Sequence, residues 1–197
     1  MRIISGIYKG RRFDIPHTFK ARPTTDFAKE NLFNVLSNKI DFTDGVTALD
    51  LFSGTGSIAL ELLSRGCDRV ISVEKDRLHY SFIQKAVQQL KAEGILLLNT
   101  DAFKYIQHCH TAFDFIFADP PYALENIREI PDMILSNQLL KQNGLLVLEH
   151  GKTDDFTQHP CFTEHRSYGS VNFSFFRHPD FLKEETITPD DPSHLED

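Results

Sequence analysis

From residue 46 onward the chain alternates short apolar runs with stretches of helical period, and few folds accept that alternation. Residues 46–52, 69–74, 95–99, 113–118 and 145–149 read as strands. Between them Ile58, Ala59, Leu62 and Leu63 repeat at helical spacing before Gly66, as do Ile83, Ala86, Val87 and Leu90 before Gly94. Helical turns over residues 127–135 are interrupted at Pro131. Strands that are apolar throughout are covered on both faces, so the pattern predicts an α/β fold with a doubly wound, mostly parallel sheet. The end differs. Residues 165–169 and 171–177 flank Gly169 and Ser170, with Val171, Phe173 and Phe175 in period two, which predicts an antiparallel edge hairpin.

Ahead of this unit, residues 1–15 read as two short strands around Gly6 and Gly10, a hairpin carrying Lys9, Arg11 and Arg12. Residues 21–39 read as a helix whose N-cap oxygens come from Thr24, Thr25 and Asp26. The expected division is therefore an N-terminal hairpin and helix (1–40), a main α/β domain (41–180) and an acidic, mobile tail (181–197). Charge follows the same division. Residues 1–39 hold eight Lys and Arg against three acids, while residues 184–197 hold six acids and no base. A basic head on a chain of net charge −7 suggests a local anionic partner, against the plainer reading of a solvated basic face.

Other classes are excluded quickly. A composition of 41% hydrophobic and 25% charged residues is that of a globular protein, not a fibrous or disordered one. No apolar run approaches the ~20 residues that span a bilayer, and the N-terminus has no apolar secretory core. Cys67, Cys109 and Cys161 are too few and too far apart for a disulfide framework or a zinc set, which points to a reduced, cytoplasmic protein. His108 and His110 flank Cys109 without further ligands at useful spacing, so no metal is expected.

Directly after the first strand of the alternation comes Asp50-Leu-Phe-Ser-Gly54-Thr-Gly56-Ser-Ile-Ala59. Two glycines at a strand-to-helix turn let the backbone approach a ligand, and Glu74, ending the next strand, can accept the hydroxyls of a ribose. The string also fits a dinucleotide fingerprint, so a nicotinamide dehydrogenase stays open. Asp50 weighs against it, because a carboxylate there repels a diphosphate and welcomes a cationic ligand such as S-adenosylmethionine.

The fourth strand ends in Asp119-Pro120-Pro121-Tyr122. In a parallel sheet this segment lies beside the Gly54 loop. The prolines fix φ and remove two donors, so the Asp119 carboxylate and a Pro120 or Pro121 carbonyl can accept both hydrogens of an exocyclic amine. That holds a poorly nucleophilic aryl amine with its lone pair aimed outward, while Tyr122 offers a face on which an extruded base stacks.

These residues carry a resemblance. DPPY resembles the signature of amino-methyltransferases, and DLFSGTGSIALELLSRG resembles their cofactor loop. Together with MRIISGIYKGRRFDIP, ARPTTDFAKENLFNVL and the last strands, the chain resembles the RsmD type of 16S ribosomal RNA guanine-N2 methyltransferase over nearly all of residues 1–178. The resemblance implies a Rossmann-like methyltransferase fold using S-adenosylmethionine and acting on 16S rRNA or the small ribosomal subunit; the want of a large apolar stripe separately suggests a monomer, and the want of a long apolar run no membrane partner. It implies cofactor binding by Asp50, Phe52, Ser53, Gly54, Gly56, Glu74, Lys75, Asp101, Ala102, Phe103 and Asp119. Catalysis falls to Asp119, Pro120, Pro121 and Tyr122, and RNA binding to Lys9, Arg11, Arg12, Arg22 and Thr24, with Arg22, Pro23 and Thr24 closing over the cofactor. For Asp101, capping of the following helix is an additional role. Lys29 departs from the family, which has arginine there; the charge survives but bidentate pairing does not. Methylation of adenine N6 or cytosine N4, and a non-catalytic RNA-binding factor, remain the alternatives.

Overall fold

The structure, a computed structural model, describes residues 1–19 and 25–186. Five parallel strands, β1 (Thr47–Leu51), β2 (Arg69–Val73), β3 (Ile95–Leu98), β4 (Phe113–Ala118) and β5 (Leu140–His150), continue into antiparallel β6 (Phe162–Tyr168) and β7 (Val171–Arg177). Their spatial order is β3-β2-β1-β4-β5-β7-β6. The chain builds outward from β1 to β3 and then returns to place β4 on the other side of β1. That reversal opens a crevice at the carboxyl ends of β1 and β4.

Helices α1 (Asp26–Leu36), α2 (Ser57–Ser64), α3 (Arg77–Leu90), α4 (Ala102–His108), α5 (Ile130–Ser136) and α6 (Pro179–Thr186) complete the fold. Successive strand residues fall on opposite faces. Ala48, Val70, Phe115, Phe117, Val147 and Phe173 pack on one side with Leu32 and Phe33 of α1 and Ile58 and Leu62 of α2. Leu49, Ile71, Ile116, Leu146 and Leu148 pack on the other with Ile106 of α4 and Ile130 and Ile134 of α5. Both faces are buried, which is why the strand sequences are apolar without alternation.

The N-terminal hairpin is short, one bridge of Arg2 opposite Arg12 flanked by the Ile3 amide on the Arg11 carbonyl at 3.0 Å and the Phe13 amide on the Met1 carbonyl at 2.9 Å. The neighbouring amides are drawn to α2: Ile4 and Ser5 donate to the Glu61 carboxylate at 2.7 and 3.0 Å, and Ile7 donates to the Ser64 carbonyl at 2.8 Å. Ile3 and Phe13 bury against Leu60, Ala86 and Leu90. Two local details differ from the sequence reading. Pro131 does not interrupt a helix but opens α5, after a 3-10 turn over Ile127–Glu129, because a first-turn proline lacks only an amide that would be unpaired there. The expected boundary at residue 180 falls inside α6, and residues 187–197 of the acidic tail lie outside the described residues. Among the described residues no helix is long and apolar enough to cross a membrane.

Candidate active site

Sheet register builds the site. Asp50 pairs with Ser72 of β2 and with Phe117 of β4, and Phe117 pairs with Val147 of β5. These four residues therefore share one face. Two residues further along the chain from Ser72, Phe117 and Val147 come Glu74 and Asp119, just past the ends of β2 and β4, and Glu149 near the end of β5. Four carboxyl groups thus converge at the carboxyl edge, and all four line a cavity of about 1000 Å³.

Asp50 is buried at the floor. Gly56, the N-cap of α2, has no side chain to offer, and the Asp50 carboxylate takes over by accepting from the Ala59 amide at 3.1 Å. Burial pushes its carboxyl up to about 7, against the pull of the Ser53 and Ala59 hydrogen bonds. Ser53 is fixed in turn, donating to the Asp50 carbonyl at 2.9 Å and accepting from the Ser72 hydroxyl at 2.8 Å.

The two loop glycines serve different ends. Both have positive φ, 54° at Gly54 and 73° at Gly56. A Cβ on Gly54 would meet only the Phe52 carbonyl, 3.9 Å away, so its open side faces the cavity it lines. A Cβ on Gly56 would stand 2.9 Å from Cγ1 of Ile83, and Gly56 does not line the cavity. The bare Cα of Gly56 therefore lets α2 pack closely on α3.

Along the far wall, Glu74 accepts the amides of Gly54 and Asp76 at 2.6 and 2.7 Å, which ties the loops after β1 and β2 together. Asp101 caps α4, accepting from the Phe103 and Lys104 amides at 3.0 and 3.3 Å, while its other oxygen meets Lys75 at 3.0 Å. Partial burial raises the Asp101 pKa, but Lys75 and the α4 amides outweigh it and hold the carboxyl below its ordinary value. Phe52 and Phe103 meet edge to face at 5.8 Å, and both line the cavity with Lys75 and Ala102.

Asp119 follows β4, half-buried, and among the described residues no hydrogen-bond donor to its carboxyl is found. Burial and the charges of Glu149 and Asp50 hold that carboxyl well above the usual carboxylate range. The Pro121 carbonyl accepts from the Leu124 amide at 2.9 Å, which fixes the turn after Asp119. Tyr122 is 48% exposed, with its hydroxyl donating to Glu149 at 2.8 Å.

The cavity thus gathers Asp50, Phe52, Ser53, Gly54, Glu74, Lys75, Asp101, Ala102, Phe103, Asp119, Pro120, Pro121 and Tyr122. It does not gather Lys9 and Arg11. The Tyr8 amide docks on the Ser64 hydroxyl at the end of α2, and Arg11 meets the Gln89 carbonyl late in α3, so these cations sit toward the helix ends remote from the cavity. Arg12 is exposed beside Arg2. Arg22, Pro23 and Thr24 lie outside the described residues, although Thr25, which caps α1, lines the cavity. Lys29 is no surface clamp. It is buried, donating to the Arg2 carbonyl and to the Ser57 hydroxyl at 3.0 Å.

Sequence reasoning missed Glu149, Ser170 and Val171. Glu149 bore a usable signal, since it closes the apolar run 145–149 as Asp119 follows the run 113–118. Among the described residues no group of His, Cys, Asp and Glu is arranged to hold a metal ion.

Comparison with known proteins agrees with this geometry. The chain is 32% identical over 149 residues to ribosomal RNA small subunit methyltransferase D of Escherichia coli strain K12, covering 76% of this chain and 74% of that one. It is 30% identical to YlbH of Bacillus subtilis strain 168, over 90% of this chain and 98% of that protein. The solved structure of Escherichia coli yhhF superimposes with a TM-score of 0.78 at 27% identity, covering 90% and 98% of the two chains. With residues 1–177 matched end to end, the chain belongs to the conserved hypothetical protein 95 family.

Proposed function

We propose that the protein transfers a methyl group from S-adenosylmethionine to the exocyclic N2 of a guanine in 16S rRNA of the small ribosomal subunit. The observation that carries this reading is Asp119, with Pro120 and Pro121 beside it, at the edge of a carboxylate-lined cavity with the Tyr122 ring at its rim. Membership of a family with a relative named ribosomal RNA small subunit methyltransferase D supports the substrate class.

The residues present fit the cofactor. An anionic floor favours a cation over a diphosphate, which speaks against a dinucleotide, and Gly54 leaves room for close approach. Asp50, Ser53 and Gly54 would hold the amino-acid end and Glu74 the ribose. Asp101, Ala102 and Phe103 would hold the base, with Phe52 and Lys75 alongside. When bound, the cofactor supplies an electrophilic methyl on a sulfonium.

The chain's own work is positioning. Asp119 and a Pro120 or Pro121 carbonyl accept the two N2 hydrogens and aim the lone pair, while the base stacks on Tyr122. The nitrogen that gains a methyl must shed a proton, and a carboxyl with a raised pKa is a competent acceptor near neutral pH. Lys9, Arg11 and Arg12 would meet phosphates of the rRNA away from the target base, and Arg22 and Thr24, outside the described residues, would also bind RNA. Residues 1–40 are the part that engages RNA, and we place the protein in the cytoplasm as a monomer.

The test is transfer of labelled methyl from S-adenosylmethionine to unmethylated small subunits and to their naked RNA, followed by nucleoside digestion. Label in N2-methylguanosine is expected. Label in N6-methyladenosine or N4-methylcytosine would overturn the guanine reading and keep the chemistry, and absence of label would overturn both.

A further inference from the structure

Glu149 is a buried carboxylate at the carboxyl edge of the sheet, where the cavity opens. It is 4% exposed yet lines the cavity, one residue beyond the paired Ala118 and Leu148, so it stands alongside Asp119. Its Oε1 accepts from the Tyr122 hydroxyl at 2.8 Å, so the exposed ring and the second carboxylate form one rigid wall. A carboxylate offers about four acceptor positions, so holding the tyrosine does not stop it from meeting a ligand donor as well. Burying such a group costs free energy that hydrogen bonds to it must offset.

Base chemistry supplies the reason. Guanine presents adjacent donors on its Watson–Crick edge, N1–H and the N2 amine. Adenine at N1 and cytosine at N3 present an acceptor beside their amines. Two side-by-side carboxylates therefore match guanine, and they set lone pair against lone pair for the other two bases. We propose that Glu149 is the specificity-determining residue of this site, accepting N1–H of the guanine whose N2 is held by Asp119. The inference rests on the guanine reading above and deepens it. Asp119 alone holds any aryl amine; the pair with Glu149 selects one base. The raised pKa of Asp119, for which Glu149 is one cause, is a further sign that the two carboxyls are close. Tyr122 is a positioning residue for Glu149 as well as a stacking surface.

The experiment places guanine or 2-aminopurine at the nucleotide identified by the labelling assay, in semisynthetic small-subunit RNA. 2-Aminopurine keeps the amine to be methylated, but its N1 carries no hydrogen. A site built around a buried acceptor rejects an analogue lacking the donor, so the unaltered protein is expected to prefer guanine roughly 100-fold or more in kcat/KM. Glu149→Gln, whose carboxamide can donate to N1 of the analogue, is expected to compress that preference at least tenfold. Affinity for S-adenosylmethionine should hold, which also reports that the variant is folded.

An unchanged preference in Glu149→Gln overturns the proposal while guanine methylation stands. Should that variant fail to fold, the unaltered protein still decides, because equal turnover of the two bases would overturn the proposal without any substitution. A protein that yields no N2-methylguanosine at all overturns the functional reading and this inference with it.

Discussion

Lys29 and Glu61 meet inside the protein, 3.6 Å apart, with neither side chain reaching solvent. The Glu61 carboxylate also accepts from the amides of Ile4 and Ser5 and from Arg65 Nε, while Lys29 holds the Arg2 carbonyl. One buried pair thus ties the N-terminal segment and α1 to α2, the helix whose first turn faces the cavity. Burial lowers the Lys29 pKa and Glu61 pushes it back up. Removing Lys29 leaves the buried Glu61 carboxylate with Arg65 as its remaining counter-charge and strips the Arg2 carbonyl and the Ser57 hydroxyl of their donor. Lys29→Met is therefore expected to cost about 3–5 kcal/mol in chemical unfolding. Combining it with Glu61→Gln should recover part of that loss, and a single variant as stable as the parent would show that the pair carries no such weight.

Asp119→Asn keeps the shape of the turn and one acceptor oxygen but loses the charge that takes up a proton. Turnover at saturating RNA and cofactor is expected to fall by roughly 10²–10⁴-fold, with cofactor affinity nearly unchanged. In the parent, kcat should rise with pH through a limb displaced above the usual carboxylate range, because Glu149, Asp50 and burial all favour the protonated form. The limb should vanish in Asp119→Asn. A pH limb that survives the substitution belongs to another group.

Much of this site was legible in the sequence because the information is local. A glycine turn after an apolar strand, an acid ending the next strand and Asp-Pro-Pro-Tyr ending another are each visible in a few residues, and parallel strands bring such ends together. What was not legible depends on register and docking. Glu149 looks like any acid closing a strand until the pairing of Ala118 with Leu148 sets it beside Asp119. The sequence marks Lys9 and Arg11 as part of a basic segment, with nothing local to say where it docks. Their location is decided instead by long-range bonds to Glu61, Ser64 and Gln89, 56 to 78 residues away in the chain. Gly56 resembles Gly54 in sequence, and only the Ile83 side chain distinguishes their tasks.

Asp50 predicts a pH dependence of cofactor binding. Its carboxyl ionises near 3.8 when free and is pushed up to about 7 by burial. In the ligand-free protein this shift favours the protonated form, so the fold should lose stability as pH rises between those two values. A bound cation reverses the preference and expels the proton. Affinity for S-adenosylmethionine should therefore climb with pH up to about 7, by at most about tenfold per unit, and level off above it. Calorimetry in buffers of differing protonation enthalpy should register proton release at about pH 6.5 that Asp50→Asn abolishes. Binding that is flat from about pH 5.5 to 8 would remove Asp50 from contact with a cationic ligand.

The two loop glycines give the sharpest separation of fold from ligand. Alanine at either position must adopt a left-handed backbone, at about 1–2 kcal/mol each. At Gly56 the new methyl also stands 2.9 and 3.0 Å from two carbons of Ile83, so α3 must give way. Gly56→Ala is expected to lose about 2–4 kcal/mol in all, while what cofactor binding remains tracks the folded fraction. At Gly54 the methyl meets nothing but the Phe52 carbonyl and points into the cavity, so stability should drop only by the backbone cost. Cofactor affinity should fall tenfold or more, because the methyl occupies the space the loop leaves for the ligand. Denaturant titration and direct binding on the same two variants decide the matter. If Gly54→Ala binds S-adenosylmethionine as the parent does, the loop does not contact the cofactor and the assignment of this crevice is wrong.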